Sequence, residues 1–81
     1  MSESRLVYMA NQIATYFRTA PHDKAVASTP DHVKKFWEPR MRRQILEHLE
    51  HHQGEGLNEI ALAAIKQWAE EQRQNHPSPA L

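Results

Sequence analysis

Apolar residues recur along this chain at intervals of three and four positions, which is the spacing of one face of an α-helix. The clearest stripe predicts a first helix from about Arg5 to Thr19, ended by Pro21. No stretch alternates apolar and polar residues for long, so no strand is predicted. The stripe is wide for a surface helix. It consists of Leu6, Ala10, Ile13, Phe17 and Ala20, widened by Val7, Ala14 and Tyr16.

The second helix is expected to begin at Thr29, whose hydroxyl would cap it, with Pro30 in the first helical position. The preceding residues, Lys24–Ser28, suit a short helical turn. The helix is predicted to run to about Trp37. Its apolar face would be made by Val33, Phe36 and Trp37.

A bend is predicted next, because Pro39 disfavours the helical conformation at Glu38. A third helix would run from Pro39 to about His52, and a fourth from its cap at Asn58 to about Gln74. The predicted fold class is therefore all-α, a small bundle of about four short helices with a bend at Glu38-Pro39. Residues 1–74 would form a single domain, followed by a flexible tail over residues 75–81.

Size and composition narrow the classes of function. A chain of 81 residues makes one small domain that is marginally stable alone. It contains no cysteine, which excludes disulfides and thiolate metal sites and fits a cytoplasmic location. Ten basic residues balance ten acidic ones, so no general attraction to nucleic acid is expected. Without an apolar leader or a long apolar run, neither secretion nor membrane insertion is expected.

The strongest local feature is a group of three arginines, Arg40, Arg42 and Arg43, at the start of the third helix. Cations near a helix N-terminus are unfavourable by about 0.3–1 kcal/mol each. Either they bind an anionic group on a partner, or their long side chains form ion pairs with acids of neighbouring helices. Such surface ion pairs contribute little to stability. Trp37 stands beside them, and Trp and Arg are typical of protein-interface hot spots. Tyr8 and Trp37 are harder to bury than Phe17, Phe36 and Trp68, which are expected in the core.

Three other chemistries find less support in the residues. His48 and His52 have the helical spacing of a metal-binding pair, but structural zinc needs two more ligands, so a solvated polar face is favoured. No serine lies in a glycine-flanked elbow and no glycine-rich phosphate loop occurs, so no catalytic residue or cofactor site is predicted. The basic cluster permits a helix-turn-helix interpretation, but the acids Glu38, Glu47 and Glu50 argue against nucleic acid.

Two segments resemble a known family, the delta subunit of soluble NAD-dependent formate dehydrogenases. The segment Arg5–Ala14 (RLVYMANQIA) is similar to the family's "LIxMANQIA" opening. Asp31–Arg42 (DHVKKFWEPRMR) is similar to its "DHIxxFWxPRMR" segment. The resemblance covers most of residues 5–69.

The resemblance implies a partner rather than a reaction. In such enzymes the alpha subunit carries a molybdenum or tungsten pterin centre and iron–sulfur clusters, and the beta and gamma subunits carry flavin and the NAD site. The delta subunit has no recognised redox centre and is implied to support assembly or stability. We therefore expect a non-catalytic subunit that binds the alpha subunit and has no cofactor of its own. The expected contact residues are Asn11, Gln12, Trp37, Arg40, Arg42 and Arg43.

Two alternatives stay open at this point. One is a small helical regulator that binds nucleic acid. The other is a transient chaperone for cofactor insertion, in which the arginines would meet phosphates of the pterin dinucleotide. Self-association of the chain is also left open.

Overall fold

The computed structural model describes residues 2–75, which form four helices and no strand within that range. The helices are α1 (Glu3–Tyr16), α2 (His22–Phe36), α3 (Pro39–His52) and α4 (Glu59–Asn75). The most extensive contact is between α2 and α4, while α1 packs against all three other helices. The predicted all-α bundle is therefore confirmed. No helix in the described range is long and apolar enough to cross a membrane.

The core lies where the apolar stripes of all four helices meet. Its most buried large side chains include Leu6 from α1, Val33 from α2, Ile45 from α3 and Ile65 from α4. Partly buried side chains complete it at the periphery. These are Met9, Ile13, Met41, Leu46, Leu49 and Leu57.

The first helix is shifted towards the N-terminus relative to its prediction. The Ser2 hydroxyl accepts a hydrogen bond from the backbone N–H of Arg5 at 3.2 Å and caps the helix, which begins at Glu3. The helix ends at Tyr16 rather than near Thr19. There the N–H of Phe17 bonds the Ala14 carbonyl at 3.1 Å, and the chain continues as a turn.

The predicted helix start at Thr29 is wrong, because α2 runs unbroken from His22 through Pro30. The Thr29 hydroxyl donates to the carbonyl of Ala25 at 2.8 Å, four residues earlier in the same helix. Such a bond belongs to a helix interior rather than to a cap. Thr29 and Pro30 are both buried, so packing stabilises a helix that local preference alone would interrupt at proline.

The bend at Glu38-Pro39 is confirmed. Trp37 and Glu38 are both extended, with ψ values of 141° and 153°, and Pro39 then starts α3. The N–H of Arg42 bonds the Glu38 carbonyl at 3.1 Å. This tight corner fixes the start of α3 relative to the end of α2.

The connection between α3 and α4 uses three residues with positive φ and a side-chain cap. Gln53 and Gly54 have φ values of 59° and 72°, and Gly56 has 88°. Asn58 then accepts a hydrogen bond from the N–H of Ala61 at 2.8 Å, which confirms the predicted cap of α4. Of the predicted flexible tail, residue 75 is the last residue of α4, and residues 76–81 lie outside the described residues.

Candidate partner-binding surface

The three arginines at the start of α3 differ in their exposure. Arg40 and Arg43 are exposed, and Arg42 is half-buried. None of the three forms an ion pair with another residue in the range 2–75. The Nε atom of Arg42 is buried and has no hydrogen-bond partner among the same residues. The interpretation that these side chains serve internal ion pairs therefore finds no support in the fold.

The aromatic pair Phe36-Trp37 is oriented opposite to the sequence expectation. Trp37 is only 6% exposed and belongs to the core, whereas Phe36 is 65% exposed. The buried stripe of α2 runs through Val26, Pro30 and Val33 to Trp37, and Phe36 lies outside it. The expectations that Trp37 is hard to bury and that Phe36 is core are both wrong. The predicted docking role of Trp37 stays untested.

The Asn11 side chain is used within the fold. Its Nδ2 donates to the carbonyl of Gly56 at 2.9 Å, and its Oδ1 accepts from the backbone N–H of Asn58 at 2.8 Å. Gln12, one residue later, donates only to the hydroxyl of Tyr8 at 2.9 Å on the exposed side of α1. The two amides that sequence reasoning grouped together therefore occupy different environments. Asn11 joins α1 to the start of α4, and Gln12 remains accessible.

Four rings form a continuous row on the surface, which we call the aromatic ridge (Tyr16, Phe17, His32 and Phe36). Their centroids are 5.1 Å apart between Tyr16 and Phe17, 6.5 Å between Phe17 and His32, and 4.5 Å between His32 and Phe36. These separations are in the range of favourable aromatic contacts. Tyr16 is 80% exposed. Sequence reasoning missed the ridge because it assigned Tyr16, Phe17 and Phe36 to the apolar faces of their helices.

Two histidines of α3, His48 and His52, lie close to the carboxylate of Glu3. His48 is buried, with Nε2 2.8 Å from the Glu55 carbonyl, so Nε2 must carry a proton and donate it. Its Nδ1 lies 3.3 Å from Oε2 of Glu3, which is also 3.8 Å from His52 Nε2. No group of three or more metal-ligating side chains suited to an ion occurs among the described residues. His48 acts as a link between α3, the N-terminus of α1 and the 53–56 turn.

An open hollow of about 900 Å³ lies between α3 and α4. Apolar side chains such as Leu46 and Leu49 line it together with charged ones such as Lys66 and Arg73. No serine, threonine, cysteine or histidine lines the hollow, so it offers no nucleophile of the kinds used in acyl transfer.

A family model for the NADH-dependent formate dehydrogenase delta subunit FdsD matches residues 5–65, from the first turn of α1 into α4. No curated protein and no solved structure matches the chain. The match covers about three quarters of the sequence and includes both the α1 segment and the corner at Pro39. The chain therefore belongs to the family of formate dehydrogenase delta subunits.

Proposed function

We propose that this protein is a non-catalytic accessory subunit of a cytoplasmic NAD-dependent formate dehydrogenase, and that it binds the catalytic alpha subunit. The observation that carries the proposal is the family match over residues 5–65. The redox centres implied for such complexes belong to the other subunits. A delta subunit then contributes through its surface, by stabilising the complex or helping to assemble it.

The arginines of α3 support a role in docking. Arg40 and Arg43 are exposed cations at a helix N-terminus, where the helix dipole disfavours them, and they have no ion-pair partner in the described range. Acidic side chains on the alpha subunit would relieve this cost and give the contact electrostatic specificity. Gln12 is an accessible donor that could join such a contact. Asn11 and Trp37 are engaged inside the fold, so they contribute less to a surface contact.

Copurification tests the proposal directly. A tagged full-length chain expressed from its native locus should recover, in fixed stoichiometry, a complex that reduces NAD with formate. Recovery of immature alpha subunit alone would instead indicate transient cofactor insertion. Recovery of nucleic acid without the enzyme would overturn the accessory role.

A charge-reversal pair tests the arginines in the same experiment. Arg40→Glu combined with Arg43→Glu should reduce recovery of the complex, while the isolated chain keeps its helical content and melts at the same temperature or slightly higher, because acids suit a helix N-terminus. Arg5→Glu is the matched control, because Arg5 is an exposed arginine in the first turn of α1. Equal recovery with both variants would remove the α3 arginines from the contact.

A further inference from the structure

The aromatic ridge exposes apolar surface that a small protein would ordinarily bury. Burying a large apolar side chain contributes about 1.5–3 kcal/mol, yet Tyr16 and Phe36 are 80% and 65% exposed. The core meanwhile is packed with small side chains, among them the fully buried Ala10 and Ala64. Contiguous apolar surface of this kind marks interaction sites in soluble proteins.

The fold holds the ridge in place before any partner arrives. His32 and Phe36 are one turn apart on α2, and Trp37, the residue after Phe36, is anchored in the core. Phe17 is fixed by its backbone bond to Ala14 and by ring contacts on two sides. Because these rings are already ordered, binding through them loses little conformational entropy.

Cations flank the ridge and define the chemistry of its partner. Lys35 places its Nζ 5.8 Å from the centre of the Phe36 ring, and Arg18 directly follows Phe17. Neither forms an ion pair with another residue in the described part of the chain. In the two segments that carry the ridge, residues 16–18 and 31–36, three cations stand against one acid.

This excess of cations argues against a second copy of the chain as the partner that binds the ridge. A two-fold dimer uses the same patch on both subunits, so it would bring both sets of cations into one interface. Like charges at an interface oppose association and act as a filter against the wrong partner. A protein with apolar surface and an excess of acids is complementary to the ridge.

We infer that the aromatic ridge docks into an apolar hollow with an acidic rim on a larger subunit of the formate dehydrogenase complex. This inference rests on the proposed function and adds a second contact to the arginines of α3. Tyr16 and Phe36 insert their rings, and Lys35 and Arg18 pair with the rim. Aromatic side chains in such positions are the usual hot spots of protein interfaces.

The test is a binding titration of the purified full-length chain against formate dehydrogenase prepared without its delta subunit. The ridge variant combines Tyr16→Ser with Phe36→Ser. Tyr8→Ser is the matched control, since Tyr8 is 60% exposed on the same helix as Tyr16 but makes none of the ring contacts of the ridge. We expect affinity to fall at least about tenfold for the ridge variant, as loss of hot-spot aromatics does, and to be unchanged for the control.

Failure of the inference and failure of the proposed function give different results. If the wild-type chain does not bind the enzyme, both are overturned. If the wild type and the ridge variant bind equally, only the ridge is overturned and the accessory role stands. An equal loss in the Tyr8 control would also overturn the ridge, because the effect would not be local.

A charge variant keeps the test decisive if the double serine variant unfolds. Lys35→Glu alters an exposed side chain, so the fold should persist, and we expect weaker binding with a reduced dependence on salt. Unchanged affinity and salt dependence would overturn the docking inference. The inference would also be overturned if the ridge variant lost binding to RNA, to DNA or to a second copy of the chain but still bound the enzyme.

Discussion

The backbone N–H of Asn58 donates to the side-chain oxygen of Asn11 across 2.8 Å, which joins the middle of α1 to the start of α4. The contact is reciprocal, because the Asn58 side chain also donates to the Asn11 carbonyl at 3.3 Å. Asn58 is at the same time the cap of α4, through its bond to Ala61. The Asn11 side chain therefore positions the start of α4, which lies 47 residues further along the chain.

Replacing Asn11 should affect stability before it affects binding. Asn11→Ala removes the acceptor for the Asn58 N–H and the donor to the Gly56 carbonyl, so we expect the free energy of unfolding to fall by about 1–3 kcal/mol. Urea unfolding followed by circular dichroism measures this loss. The adjacent control Gln12→Ala should stay within about 0.5 kcal/mol, because its amide bonds only an exposed tyrosine hydroxyl. Equal losses in the two variants would contradict the structural role of Asn11.

The neighbouring aromatics Phe36 and Trp37 should respond in opposite ways to truncation. Trp37→Ala opens a cavity in the core, and such changes cost about 3–5 kcal/mol, a large part of the stability of a small domain. Phe36→Ala removes an exposed ring and should cost far less. Thermal melts of the isolated chain distinguish the two cases. A stable Trp37→Ala protein that had lost only its partner binding would instead establish the docking role predicted from the sequence.

A substitution at Thr29 distinguishes a helix that starts at Thr29 from the continuous α2 of the structure. If Thr29 were an N-cap, Thr29→Asp would be tolerated, because aspartate is among the best capping residues. In the fold Thr29 is fully buried and donates to Ala25, so the substitution would bury an unpaired carboxylate. We expect Thr29→Asp to unfold the chain at neutral pH and Thr29→Val to cost about 1 kcal/mol, the value of one hydrogen bond. Circular dichroism at 222 nm reports both, and a folded Thr29→Asp protein would refute the continuous helix.

Local signals located most of the fold. Pro39 set both the bend and the start of α3, and Asn58 marked the start of α4, because capping and proline geometry act within a few residues. The predicted helix start at Thr29 was wrong for a non-local reason, because tertiary packing stabilises α2 across Pro30. The error at Phe36 and Trp37 is separate, because these residues follow Val33 by three and four positions and helical spacing alone does not decide which of them is buried.

The candidate site was less predictable than the fold. The arginines could be named from the sequence because their position in a helix follows from Pro39 alone. The aromatic ridge could not be named, because it requires the end of α1 to lie against α2. Asn11 was assigned to a partner for a similar reason, since its true partners, Gly56 and Asn58, are distant in sequence.

The turn between α3 and α4 provides a test of close packing at Gly54. A Cβ atom at this position would lie 2.6 Å from Cδ1 of Leu62 and 3.2 Å from Cδ1 of Leu57, and the residue has a φ of 72°. Gly54→Ala should therefore lose about 1–2 kcal/mol from the left-handed backbone. Crowding should add about 1 kcal/mol to that loss, the low end for overpacking, because the obstructing atoms are the ends of leucine side chains that can shift.

Gly56 is the matched control for this prediction, because it shares the positive φ and is less crowded. With a φ of 88°, an added Cβ would meet only Cγ1 of Val7, at 3.2 Å. Gly56→Ala should thus lose mainly the backbone contribution, and urea unfolding should show a smaller effect than at Gly54. Combining Gly54→Ala with Leu62→Ala should cost less than the sum of the two single changes, since it removes the nearest obstructing atom. Strict additivity, or equal losses at the two glycines, would show that Leu62 does not limit the space above Gly54.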